Sequence, residues 1–253
     1  MKALFLVVGS ITGRLMRRRR SIAMFFLTAS LAPLLFFLAL GRTGSFAAEM
    51  YNNLTFGLGM ATVYPVAALV VSTAALGEER KAHTLPFLLL KPLPRVVIAL
   101  GALIAAAVSA FVIVEAGVLV TWVVAAVMSG DWSLGIATTV GVAVQCVASA
   151  ALFVPLGLVL NRATLLGLGY LFLWEGILSS FIAGVQASSI YRIVVSAWAD
   201  FASMTVETYD AVDVILGRVT IGAGGAAAKV AVMALVSVML TGSILKRRDL
   251  VGE

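Results

Sequence analysis

Charge, cysteine and histidine are all scarce in this sequence. Asp, Glu, Lys and Arg make up 12% of its 253 residues, with one Cys and one His. Cys146 has no second cysteine to pair with, so the chain holds no internal disulfide framework and no redox pair. His83 alone excludes a His-Glu-x-x-His or multi-histidine metal site. A phosphate-binding Gly-x-x-x-x-Gly-Lys-Ser/Thr run is missing. The stretch Gly222 to Lys229 is glycine-rich, but its spacing is wrong and no strand precedes it. It is better read as small residues that let helices approach closely. Ser109, Ser149, Ser179 and Ser180 lie in apolar runs without a histidine partner, and those runs contain no Asp. No catalytic constellation emerges, so the chain is read as a non-enzyme that does not itself hydrolyse ATP.

What the sequence has in excess is grease. It is 62% hydrophobic with mean hydropathy +1.09, against about 45–50% apolar in a soluble domain. The expected solvent is lipid, and the expected fold class is all-α: a single polytopic membrane domain over 1–253. Residues 1–20 place Leu4, Val8, Ile11 and Leu15 on one helical face, with Arg14 and Arg17 to Arg20 at its end. That pattern fits an interfacial helix drawn to anionic lipid, or a basic flank for the next helix. Six spans follow at about 21–40, 54–77, 96–128, 134–160, 163–184 and 221–245, each near the ~20 residues that cross a bilayer or longer. Pro33, Pro65 and Pro155 fall inside three of them. Ser45-Phe46-Ala47 after the first apolar run resembles a signal-peptide cleavage site. The run is long for that role, however, and so is the stretch before it. Gly41 to Asn53 reads as a polar loop. Residues 187–217 form a polar segment in which Ile190, Val194, Trp198 and Phe201 repeat at helical spacing.

Six crossings put both termini on one side. The N-terminal segment, the loop 78–95, Arg162 and the C-terminal tail hold fourteen of the eighteen Lys and Arg residues. The positive-inside rule makes that side cytoplasmic, N-in and C-in. The net charge of +6 is thus explained by topology and lipid contact, and nucleic acid is not an expected partner.

The loop 78–95 is too greasy for water and too charged for lipid. Glu78, Glu79 and Arg80 end the second span. Thr84 is a good helix N-cap and Pro86 fits a first turn. Pro92 and Pro94 stop and stiffen the exit before Arg95. Leu85, Phe87, Leu88, Leu89, Leu90 and Leu93 need a cover, since burying one such side chain is worth roughly 1.5–3 kcal/mol. The membrane interface, the protein's own helix ends or a soluble partner would each supply one.

The order Glu78-Glu79-Arg80, Thr84-Leu85-Pro86, Leu88-Leu89 and Pro92-x-x-Arg95 resembles the type-2 ATP-binding-cassette permeases. The N-terminal helix, the long segment before the last span and the ending Arg247-Arg248-Asp249-Leu250 resemble that family in layout. His83 and Lys91 depart from the pattern, which often has Gly before Thr and a small polar residue at the second position. The resemblance implies a permease subunit of an exporter in the plasma or inner membrane, working as a homo- or heterodimer. Residues 84–91 would be a coupling helix seated on a separate ATPase subunit. ATP and Mg would bind that subunit, with no cofactor on this chain. The implied ATPase-coupling residues are Glu78, Glu79, Arg80, Thr84, Leu85, Pro86, Phe87, Leu88, Leu89, Pro92 and Arg95.

Three polar groups fall within expected spans: Glu115, Gln145 and Glu175. Insertion scales charge about 2.5–3.5 kcal/mol for Asp at bilayer depth, so such groups are either functional or bonded across helix interfaces. They leave room for an ion-coupled secondary transporter. A third reading is a membrane anchor that transmits ATPase work to extracytoplasmic partners without passing cargo.

Overall fold

The computed structural model describes residues 2–81, 94–179, 188–202, 210, 212–214 and 222–248. Among these, every regular element is a helix. In hydrocarbon no water is available to satisfy the backbone, and a helix satisfies it internally.

Helix α1 is Lys2–Met16. Its buried stripe is Val7, Ile11 and Leu15. Of the expected face, Ile11 and Leu15 are buried and Leu4 and Val8 partly buried, and Val7 joins them. The stripe lies against a protein neighbour rather than lipid alone: a Cβ on Gly101 would come within 2.7 Å of Val7. The first apolar run is two helices, α2 (Arg19–Ala29) and α3 (Leu31–Leu38), broken at Ser30. Pro33 is the third residue of α3, where a missing N–H costs nothing.

Helix α4 runs from Ser45 to Lys81. The expected polar loop 41–53 is therefore helical from Ser45 onwards. Its polar residues are absorbed by packing. Tyr51 is buried and donates to Thr138 Oγ1 at 2.9 Å, and Asn52 is buried too. Within α4, Thr55–Val63 is a π-helical stretch, followed at once by Tyr64 and Pro65. A proline ring crowds the carbonyl four residues back and offers it no N–H, and a widened turn at that place absorbs both defects.

Helix α5, Arg95–Ser129, is 35 residues without a break. At 1.5 Å per residue that is about 52 Å, well beyond an apolar core of about 30 Å. Its ends meet other parts of the protein, α1 at one and the α3–α4 connection at the other, where Gly44 N–H donates to Met128 O. The turn to α6 is closed by Asp131, whose Oδ1 accepts from Ser133 Oγ at 2.7 Å and Ser133 N–H at 2.8 Å. The hydroxyl first, and then the N–H, hold this carboxyl below its usual range.

Helix α6, Leu134–Val159, packs on α4, α5 and three later helices. Helix α7, Ala163–Leu178, is shorter than a bilayer-crossing helix, and its second half, Leu171–Leu178, is π-helical. The expected fifth span ran to residue 184, but 180–187 lie outside the described residues. Helix α8 is Ile190–Ala199. Ile190, Val194 and Trp198 are buried as their spacing predicts, with Trp198 stacked on Phe56. Phe201 lies past the helix end and is exposed, which departs from that pattern. Helix α9 is Gly222–Arg248. Among the described residues, five helical stretches, Arg19–Leu38 (α2 and α3 together), Ser45–Lys81, Arg95–Ser129, Leu134–Val159 and Gly222–Lys246, are long and apolar enough to cross a membrane.

The α4–α6 seam depends on two glycines. A Cβ on Gly157 would collide with the Thr73 carbonyl, and one on Gly77 would come within 3.0 Å of Gly157 O. Only glycine allows backbones this close, and close approach is what binds helices in lipid. Replacing Gly157 by Val overpacks the seam and is expected to cost about 1–3 kcal/mol. The thermal midpoint of the solubilised protein should fall accordingly. Gly169→Ala, facing open space, should leave it unchanged.

Candidate functional site

The charged residues near the end of α4, Glu78, Glu79 and Arg80, form one node. Glu79 pairs with Arg14 of α1. Glu78 pairs with Arg18 Nη1 at 2.8 Å and Arg20 Nη1 at 2.9 Å, on either side of the α2 start. The glutamates are largely buried while the arginines stay about half exposed. Part of the basic N-terminal cluster is therefore neutralised by protein, a role that neither lipid contact nor topology had suggested. Arg80 turns the other way. Its Nη1 donates to Leu158 O at 3.0 Å and Val159 O at 2.5 Å, and its Nη2 to Asn161 Oδ1. Those carbonyls end α6, where a helix lacks partners and carries partial negative charge, so a guanidinium suits the place. Arg95 opens α5 immediately after Pro94. Glu78, Glu79 and Arg80 thus tie α4 to α1, α2 and α6. The other implied coupling residues, Thr84, Leu85, Pro86, Phe87, Leu88, Leu89 and Pro92, lie outside the described residues.

A second polar centre, on α7 and the start of α8, is built on Glu175. This residue is in the π stretch of α7 and buried. Its Oε1 accepts from Tyr170 Oη at 3.1 Å and Ile190 N–H at 2.8 Å. Its Oε2 accepts from Ser189 Oγ at 2.5 Å and Tyr191 N–H at 3.3 Å. Glu175 therefore caps α8 from another helix, supplying the acceptors that the first N–H groups of a helix need. Ser189 completes the cap by accepting from Arg192 N–H. Arg192 is buried as well and donates from Nη2 to Ser179 O at 3.2 Å. Asp200, after α8, repeats the device: its Oδ2 accepts from Ala223 N–H at 2.6 Å at the start of α9. Gly222 takes a left-handed φ of 63° there, and a Cβ on it would crowd Asp200. Two acids thus link α7 to α8 and α8 to α9.

Between the two π stretches, of α4 and of α7, lies a cavity of about 260 Å³. Its walls include Ala61, Thr62, Val66, Phe172, Glu175 and Arg192. The sequence brings Glu115 and Gln145 no closer to this centre. Glu115 Oε1 accepts from Thr139 Oγ1 on α6 at 2.6 Å, a bond across a helix interface. Gln145 bonds Ser149 four residues on, within one helix. Sequence reasoning singled out Glu175 but missed its partners. The visible signal was Ser189 standing just before a helical repeat, an N-cap in search of a second acceptor. Nothing in the sequence pointed to Asp200 as a cap or to the arginine partners of Glu78 and Glu79.

A bundle of apolar helices, broken by π turns and tied at one end by ion pairs, defines a multi-pass membrane protein. The family model described as "ABC-2 family transporter protein" matches residues 16–185, 170 of the 253 residues. The chain belongs to this family and is a permease component of an ATP-binding-cassette transporter, associating with ATP-binding-cassette ATPase subunits. No curated protein matches it.

Glutamine at position 175 would present an NH₂ group to donors that now meet a carboxylate. Glu175→Gln should destabilise the protein by about 1–3 kcal/mol, read as a fall in thermal midpoint. Asp213→Asn, at an exposed position, is the control and should show no fall.

Proposed function

We propose that the chain is the permease subunit of an ATP-driven exporter and that the Glu78–Arg80 node is its lever. The observation that carries this reading is the divergence of bonds at the node. Glu78 and Glu79 bond α1 and the α2 region, while Arg80 bonds the end of α6. A force on the adjoining loop would reach three parts of the bundle at once. Residues 84–91 form the coupling helix on this reading, and their apolar side chains are covered by the ATPase. ATP and Mg act on that subunit, and closure of two ATPases moves α4 and α5. The π stretch ahead of Pro65 supplies the place where α4 bends.

Two permease copies, identical or similar, enclose the path. The chain crosses the membrane six times, N-in and C-in, with 163–184 as the fifth crossing, and α8 caps the outer end. The cavity between the π stretches, with its apolar walls and buried Glu175 and Arg192, favours an amphipathic cargo. Because Glu175 is bonded as a cap, a structural role accounts for it without proton coupling.

Co-purification tests the placement of the lever. Leu85, Phe87 and Leu88 replaced together by Asp should abolish recovery of the ATPase with the permease, and normal recovery would refute the placement. Arg80→Met should leave recovery intact and depress cargo-stimulated ATP hydrolysis in liposomes. Stimulation only by an added extracytoplasmic protein would favour the anchor reading instead.

A further inference from the structure

Among the described residues, the cavity between the two π stretches is walled by an acid whose hydrogen bonds are complete and a cation whose bonds are not. The Glu175 carboxylate accepts from Tyr170 Oη, Ser189 Oγ, Ile190 N–H and Tyr191 N–H. A carboxylate has about four lone-pair sites, so its capacity is used. Arg192 borders the same cavity and is 7% exposed. Its guanidinium is a fork of N–H donors. Among the described residues the acceptor it meets is Ser179 O, from Nη2 at 3.2 Å. Nε and Nη1 remain for whatever fills the space beside them.

The position of Arg192 is costly. It is the third residue of α8. The first turn of a helix carries partial positive charge, which disfavours a cation. Burial adds a second cost. A neutral donor could serve Ser179 O equally well, so the charge itself has a use. The surroundings fit a ligand. Ala61, Val66 and Phe172 make apolar walls, and a few polar groups converging in an apolar hollow is the ordinary build of a binding site. The volume of about 260 Å³ falls below the roughly 300–1,000 Å³ of sites for drug-sized ligands. It therefore suits the head and adjoining carbons of an amphiphile. Phe172 is more than half exposed, so the wall opens on that side of α7 and a longer chain can leave there.

We propose that this cavity binds a monoanionic aliphatic carboxylate, with its head on Arg192 and its chain against Val66 and Phe172. The planar fork of a guanidinium matches two carboxylate oxygens side by side. One guanidinium brings one unit of charge, which suits a monoanion better than a phosphate dianion. Glu175 does not forbid this. Two of its four donors are N–H groups at the positive end of α8, and they offset its charge locally. An ammonium head, by contrast, would find the lone pairs of Glu175 taken and Arg192 repelling it. As the head group of an exported cargo, this carboxylate rests on the exporter reading; as a bound ligand, it does not.

Equilibrium dialysis of the full chain in phosphatidylcholine nanodiscs tests it, with laurate, dodecanol and dodecylamine as probes of equal chain length and empty nanodiscs subtracted. The wild type should bind laurate saturably and about tenfold more tightly than dodecanol, given the strength of hydrogen bonds to charged groups. Dodecylamine should not bind above the empty nanodiscs. Arg192→Gln should bring laurate down to the level of dodecanol. Arg192→Lys, which keeps the charge and loses the fork, should retain part of the preference. Ala61→Phe, which fills the cavity, should weaken laurate and dodecanol together. These two variants decide the matter if Arg192→Gln does not fold. Equal affinity of the wild type for laurate and dodecanol would overturn the proposal. So would a laurate preference that survives in Arg192→Gln, since the anion would then sit at another cation, the N-terminal arginines included. Laurate bound through Arg192 that fails to stimulate ATP hydrolysis by the permease–ATPase complex would uphold the site and count against the exporter reading alone.

Discussion

Inside a bilayer an apolar side chain gains nothing by exchanging lipid for another helix, so helices are held by close backbone approach and by polar bonds. Everything in this structure follows from how α4 meets α6. Gly77 and Gly157 bring the two backbones together, and Arg80 locks the same end by bonding the last carbonyls of α6. Thr73 and Thr164 add a hydroxyl contact at 3.0 Å that draws α7 to α4. Once α4 is fixed to α6, the glutamates next to Arg80 face the N-terminal helices, and their ion pairs with Arg14, Arg18 and Arg20 become possible.

The opposite half of the bundle is organised by a different rule. Helices α8 and α9 each begin with N–H groups that no residue of their own helix can satisfy. Glu175 and Asp200 satisfy some of them from other elements. A buried carboxylate is tolerable when donors surround it, and Glu175 has four. The π geometry of α7 at Glu175, and of α4 ahead of Pro65, places two irregular turns on either side of one cavity. Irregular turns are where helices bend, so the firm seam lies at one end and the deformable turns at the other. On the proposed lever reading, that division would let a push at the Glu78–Arg80 node be taken up by the irregular turns.

Much of this architecture was legible before any coordinates. Long apolar runs mean bilayer-crossing helices because no soluble fold covers so much apolar surface. Ile190, Val194 and Trp198 announced α8 by their spacing. The polar stretch Gly41 to Asn53 misled, because Glu49, Asn52 and Asn53 look like a loop when their partners are unknown. Tyr51 has its partner on α6, 87 residues away. The first span hid a break at Ser30, since two helices in series have the same hydropathy as one. The spacing on α1 found Ile11 and Leu15 but missed Val7, because its neighbour Gly101 lies far along the chain.

By itself, the sequence determined the solvent, the helical class and the family. These depend on composition and on residues close together in the chain. Tertiary structure alone decided which charges pair, that Glu175 and Asp200 are caps, and where α4 and α7 widen into π turns. Each of those outcomes joins groups many residues apart, or hangs on a change of backbone hydrogen bonding that leaves hydropathy unaltered. Hence the residues beside the loop were readable as charged ends of a span, but their action as ties among α1, α2, α4 and α6 exists only once the chain is folded.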